Sequence, residues 1–296
     1  MGRLVQKRVG GIEFFGFSLG GEETVVAVPE FNICFDVGRA PREMIPIENV
    51  CLSHGHMDHA AGVAYYLSQR TFLGNAPGRI IVDKSLALPI QKLMDVWSDI
   101  EGHPSPGQIY GVEHLEEVPI RRGLLVRAFR VNHAAGALGF TLIETRHKLK
   151  EEFAGKTGPE LVALKKEGVA IEHTVEIPLL TYTGDTAVGR FLDLDFVRQS
   201  RVMVMECTFF EREHNHRAKA GRHLHVDDLP GVLERLACEH VMLTHFSRRT
   251  DLRTAKRIIE RVVGERDMSR MSILMERPPR RRFDAARAEQ KHSESV

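Results

Sequence analysis

Short apolar runs, broken by Gly and Pro, dominate the start of the chain. IEFFGF (Ile12 to Phe17), TVVAVP (Thr24 to Pro29) and FNICFDVG (Phe31 to Gly38) are β-rich and predict three strands. ENVCLSH ends a fourth strand at a run of histidines. AAGVAYYLSQR then reads as a helix, RIIVD as a strand, and SLALPIQKLMDVWSDIEG as a helix with a proline in its first half. IYGVEHL, LLVRAFRVNHA and GFTLIETR predict further strands. From His147 to Ile177 the chain turns charged and Gly-rich, and it becomes apolar again in PLLTYTGDT (Pro178 to Thr186). RVMVMECTF predicts a buried strand, HVDDLPGVLERLACEH a helix, HVMLTHFS a strand and TDLRTAKRIIERVVGE a helix. Strand runs flank helices in both halves, the pattern of an α/β chain with two sheets and helices outside. Residues 1–275 are expected to form this unit. The polar stretch 276–296 is expected to be a disordered tail.

Composition narrows the class. A chain of 296 residues with 43% hydrophobic positions can bury a sizeable core. A formal net charge of +1 gives no overall polybasic signature, so any nucleic-acid contact must rest on local patches. Cys34, Cys51, Cys207 and Cys238 sit in apolar contexts with no CxxC spacing. They read as reduced, buried thiols of a cytoplasmic protein. No apolar run approaches the ~18 residues of a membrane span. Trp97, within a predicted helix, is expected in the core, and the arginines of RRGLLVRAFR on a solvated strand face. His103 and His114 read as loop residues; His173, His214 and His216 carry no assignment. Fifteen histidines are the one oddity, and their clustering points to metal.

LSHGHMDHAAG packs His54, His56, Asp58 and His59 into six positions after the apolar NVCLS. His133 follows LLVRAFRVN, Asp185 follows PLLTYTG, and His245 follows HVMLT. Strand ends converge on one edge of a sheet, so these seven can meet. Imidazole and carboxylate suit zinc, with manganese or iron also accommodated. Seven donors exceed the need of one tetrahedral ion; with one bridging carboxylate they suit two ions ~3.5–4 Å apart, able to activate a water near neutral pH.

HGHMDH resembles the HxHxDH signature of the metallo-β-lactamase superfamily. The resemblance implies a four-layer αββα sandwich and a metal-dependent hydrolase. By it, His54, His56 and His133 hold one ion, Asp58, His59 and His245 the other, and Asp185 bridges. YTGDT, ECTF, AKAGRHLH and LTHFSRR further resemble ribonuclease Z, the endonuclease that trims the 3′ end of precursor tRNA. That implies a proton relay from Glu206 to His223, a phosphate contact by Arg249, Asp58 as base toward the attacking water, and a homodimer. The chain departs from the family pattern in two places. The segment Arg222-His223-Leu224-His225 lacks the usual hydroxyl residue, and His225 either replaces it or caps the next helix. Between Thr141 and Thr183 the long RNA-gripping arm is shortened to a base around Gly158 to Glu172. The phosphodiesterase chemistry is therefore better supported than the tRNA substrate. The alternatives are a small cyclic-nucleotide or aryl phosphodiesterase, a thioesterase or lactonase like glyoxalase II, and a scaffold without turnover.

Overall fold

The computed structural model describes residues 4–276; the predicted tail from 277 onward lies outside the described residues. Among them, fifteen strands form two mixed sheets. The first sheet runs, in order, β1 (Val5–Val9), β2 (Ile12–Gly20), β3 (Glu23–Val28), β4 (Ile33–Phe35), β5 (Asn49–Cys51), β6 (Gly78–Asp83) and β7 (Gly107–Val112). Its first four strands are antiparallel and the rest parallel. The second contains β8 (Glu117–Arg121), β9 (Leu124–Arg130), β10 (Leu138–Leu149), β11 (Glu172–Tyr182), β12 (Val202–Glu206) and β13 (His240–Thr244), ending in β15 (Met271–Ile273). It too is antiparallel through its first four strands and parallel afterwards. The short β14 (Phe246–Ser247) leaves the second sheet and pairs with β2 of the first.

Period-two patterning explains the layers. Val26 and Val28 face inward against Phe140, Leu142, Val202 and Val204 between the sheets. Their neighbours Val25 and Ala27 face outward to Val63, Leu67 and Met94, carried by helices α2 (Val63–Phe72) and α3 (Lys84–Glu101), which follow the single-turn α1 (Met57–Ala60). On the far side Met203 and Met205 point away from the centre, to meet α5 (Asp195–Arg198), α7 (Leu229–Arg235) and α8 (Leu252–Val262). The result is the α/β, αββα arrangement the sequence predicts. No helix among the described residues is long and apolar enough to cross a membrane.

The strand predicted over Phe31 to Gly38 is only Ile33–Phe35. A 3₁₀ turn precedes it, and Asp36 at φ 55° breaks out of it. Charge and glycine hid the outer part of a long hairpin. β10 and β11 stay paired out to Leu149 and Glu172, whereas β9 stops pairing at Glu144. A two-stranded ribbon therefore stands clear of the sheet, with α4 (Gly158–Lys166) beyond its outer end. Trp97 is not a core residue. It is 39% exposed on α3, an 18-residue helix that continues through Pro89 and buries only Met94. Glu276, assigned to the tail, is anchored by Lys256 Nζ at 2.6 Å and Lys7 Nζ at 3.5 Å. In the segment read as the helix HVDDLPGVLERLACEH, only Leu229–Arg235 is α-helical.

Candidate active site

Every candidate ligand leaves the same end of the sandwich. β5 delivers His54, His56, Asp58 and His59; β9 leads to His133, β11 to Asp185 and β13 to His245. Two local features bring the sheets together there. Gly184, at φ 59°, lies so close to Ser53 of the other sheet that a Cβ would meet it at 2.6 Å. His245, at φ 60°, sits where the chain crosses between sheets, its amide donating to Ser18 Oγ at 2.9 Å.

Side-chain atoms of His54, His56, His133 and Asp185 lie within 4.8 Å of one another, as do those of Asp58, His59 and His245. Asp185 Oδ2 reaches from the first group to the second. It stands 3.3 Å from the Nε2 of His59 and of His245, 3.8 Å from that of His54 and 3.9 Å from that of His133. Asp58 Oδ2 lies 3.3 Å from His245 Nε2 and 3.6 Å from His59 Nε2.

The hydrogen-bond network assigns the tautomers. Asp36 accepts from Ser53 Oγ–H at 2.9 Å, so the Ser53 oxygen accepts from His54 Nδ1–H at 3.0 Å. Glu206 accepts from Thr208 Oγ1–H at 2.5 Å, so Thr208 accepts from His245 Nδ1–H at 2.9 Å. His59 Nδ1–H donates to Asp36 at 2.7 Å and His133 Nδ1–H to the Arg222 carbonyl at 3.2 Å. All four rings thus aim an unprotonated Nε2 inward, where His59 and His245 approach to 3.4 Å and His54 Nε2 meets His56 Nδ1 at 3.0 Å. Converging lone pairs repel unless a cation lies between them. Outer acceptors that orient the rings are the second layer a metal site requires, so the donor set fits divalent ions.

Electrostatics agree for His54 and His133. Burial, then the His59 ring, pushes His54 down to about 2, and burial lowers His133, keeping both neutral. His59 is the exception: burial opposes its charge, yet Asp185 and Asp36 raise it well above the usual value, so its Nε2 carries a proton that a bound cation would displace. Burial also opposes ionisation of Asp185, but the His245 and His59 rings hold it well below the carboxylate range. Asp58 is held low in the same way, against burial, by the His245 and His59 rings beside it.

Beside the cluster His223 Nδ1 donates to Glu206 Oε1 at 2.9 Å and lies 3.9 Å from Asp185. Glu206 is fully buried and fixed by the Thr186 and Leu224 amides at 2.7 and 3.2 Å. Burial opposes charge on His223, but Glu206 outweighs it and raises the ring to about 9.

No protein-family model matches the chain. It is 32% identical over 249 residues to tRNase Z TRZ1 of Arabidopsis thaliana, covering 82% of this chain and 88% of that protein. The chain belongs to the tRNase Z (ribonuclease Z) family. The chloroplastic tRNase Z TRZ2 of the same plant is also 32% identical, over 79% of this chain and 67% of the relative. Among solved structures, the metallo-β-lactamase-fold protein YhfI of Bacillus subtilis aligns with TM-score 0.59 at 13% identity, over 86% of this chain and 93% of that one. Human tRNase Z, short form, aligns with TM-score 0.52 at 14% identity, over 83% and 92%. At these identities they speak for the fold, which is that of the metallo-β-lactamases.

Against the tRNase Z pattern, His225 acts as a cap: its Nδ1 accepts from the Asp227 amide at 3.2 Å and its Nε2 donates to the Glu211 carbonyl at 3.0 Å. Arg249 is exposed, and its guanidinium rests on Ser247 Oγ at 3.3 Å. His114 accepts from the Arg130 amide at 3.2 Å and His214 pairs with Glu211 at 3.0 Å, so both serve loop structure. Sequence reasoning missed Asp36, which also accepts from Tyr182 Oη at 2.6 Å and from the Ser53 amide at 2.7 Å. The signal was present: an acidic residue directly after the apolar ICF, the placement shared by the candidate ligands. Thr208, two residues past Glu206, gave no comparable signal. Asp36→Asn should weaken divalent-metal affinity about 10–100-fold without changing the far-UV circular dichroism. Competition with a chromophoric chelator measures the affinity, and an unchanged value contradicts the orienting role.

Proposed function

We propose that the chain is a ribonuclease Z-type endoribonuclease of the cytoplasm, cleaving a phosphodiester at the 3′ side of precursor tRNA with two zinc ions. The observation that carries this reading is the single Asp185 oxygen lying 3.3–3.9 Å from four inward-facing Nε2 atoms, with the Glu206–His223 pair beside it. His54, His56 and His133 would hold one ion, Asp58, His59 and His245 the second, and Asp185 both. Bound there, the ions supply Lewis-acid stabilisation of charge on the phosphate and acidify water. Asp58, kept ionised, serves as ligand and as acceptor for a proton from the attacking water. Cleavage expels an alkoxide, and the charged His223 returns a proton to it, while Glu206 keeps the ring oriented and protonated. Arg249, four residues beyond His245, is the proposed phosphate contact, a task its planar fork suits. Four free, buried cysteines support a reducing compartment.

A homodimer is part of the same proposal. α3 turns Leu88, Val96 and Ile100, each more than half exposed, and Trp97 to the outside, beside a cavity of ≈ 420 Å³ lined also by Tyr65, Pro89 and Ile90. A soluble monomer seldom leaves so continuous an apolar face uncovered, and a second copy of the chain is the occupant we assign.

Three outcomes test these statements. His223→Ala should lower turnover of a 3′-extended precursor tRNA by about 100-fold or more while bound metal stays constant. Undiminished turnover removes the proton donor from the mechanism. Asp185→Ala should lose metal, read by elemental analysis after dialysis, and full occupancy refutes the bridge. Trp97→Glu should move the sedimentation coefficient from dimer to monomer, whereas a wild-type monomer rules the interface out.

A further inference from the structure

At the end of the sandwich opposite the candidate metal cluster lies a cavity of ≈ 600 Å³ lined by Phe31, Leu124, Ile177 and Leu179 and by four arginines, Arg121, Arg122, Arg146 and Arg201. Glu144 is the one carboxylate of that lining, and Arg146 engages it through two hydrogen bonds, of 3.0 and 2.8 Å. Arg121, Arg122 and Arg201 are left with no carboxylate in the wall. Arg201 Nε is moreover buried without a hydrogen-bond partner among the described residues. An orphaned guanidinium nitrogen in a cleft rimmed by like charges is unfavourable by itself. An anion in the cleft relieves the repulsion among these guanidinium groups.

Placement says which anion. Arg121 and Arg122 sit at the turn between β8 and β9, and Arg201 directly precedes β12. Glu144 and Arg146 lie where β10 leaves the sheet to become the free-standing ribbon. The cavity is thus at the foot of the ribbon, on strands whose other ends carry His133, Asp185 and Glu206. β11 carries the chain from Leu179 to Tyr182, and Asp185 lies three residues further, so cavity and cluster stand at most roughly 20 Å apart along this strand, within reach of one nucleic-acid backbone. Guanidinium forks match phosphate oxygens in pairs.

We propose that Arg121, Arg122 and Arg201 form a second phosphate-binding site that takes the backbone of the substrate's RNA stem, well away from the cleaved bond. The inference rests on the RNA substrate proposed above. It assigns to the ribbon's foot a share of the contacts that a longer arm would make at its tip.

The test compares wild type, Arg121→Glu/Arg122→Glu and Arg201→Gln on two substrates, a 3′-extended precursor tRNA and bis-p-nitrophenyl phosphate, over a salt series. A charge-matched Arg42→Glu/Arg266→Glu protein serves as control. In the double variant KM for the tRNA should rise about tenfold or more, and the slope of log KM against log salt should shrink by about 2. Arg201→Gln should move both in the same direction by less, since one contact is lost. Turnover of the small diester should stay within about twofold of wild type in each. An unchanged tRNA KM, or an equal rise in the control, overturns the second site while leaving the nuclease reading intact. Wild-type protein that hydrolyses the small diester and leaves the tRNA untouched overturns the RNA reading itself, and this site with it.

Discussion

The site depends on one buried carboxylate. Asp36 is fully enclosed at the seam between the sheets and accepts four hydrogen bonds, from Ser53 amide and hydroxyl, His59 Nδ1 and Tyr182 Oη. Ser53 and His59 follow β5 of the first sheet, whereas Tyr182 closes β11 of the second. An isolated charge at such depth would be strongly unfavourable, so the four donors must stay in place together. They fix the spacing of the sheets where the strands end. They also set the tautomers of His54, through Ser53, and of His59 directly. The stacking of Phe35 on Tyr182, with ring centroids 4.9 Å apart, holds the phenol toward the carboxylate.

Glu206 plays the corresponding part on the other side. Through Thr208 it orients His245, and directly it holds His223. One anion organises rings from the first sheet, and the other organises rings from the second. The backbone is bent to suit: Asp36, Arg222 and His245 all adopt positive φ, which costs a non-glycine residue of order 1–3 kcal/mol. Such strain concentrates where the side chain must leave the direction its strand would give it. Arg222 shows the return, since its carbonyl anchors His133 Nδ1.

Much of this was legible in the residues. Alternating apolar runs located most of the long strands, and the polar residues just past their ends named the metal-site candidates, because parallel strands deliver their C-terminal ends to one edge. The misses share a cause. Asp36 was read as the continuation of a strand, since FNICFDVG has strand composition on both sides of the bend. The outer ribbon drew no strand prediction, because a hairpin with no neighbour has no buried face to stamp an alternation on its sequence. Trp97 was assigned to the core on residue type alone, while α3 leaves most of its apolar positions in view. No local pattern could have shown that Thr208 relays between Glu206 and His245, because the relay exists only once β12 and β13 lie side by side.

The ribbon has a consequence for how this family can vary. Beyond Glu144 the two strands pair only with each other, and the last residues in register are Leu149 and Glu172. Chain added or removed between them re-enters β11 at the same register, so Tyr182 and Asp185 keep their positions whatever the excursion's length. Reach toward a macromolecule can therefore drift by insertion and deletion while the chemistry at the opposite pole stays untouched.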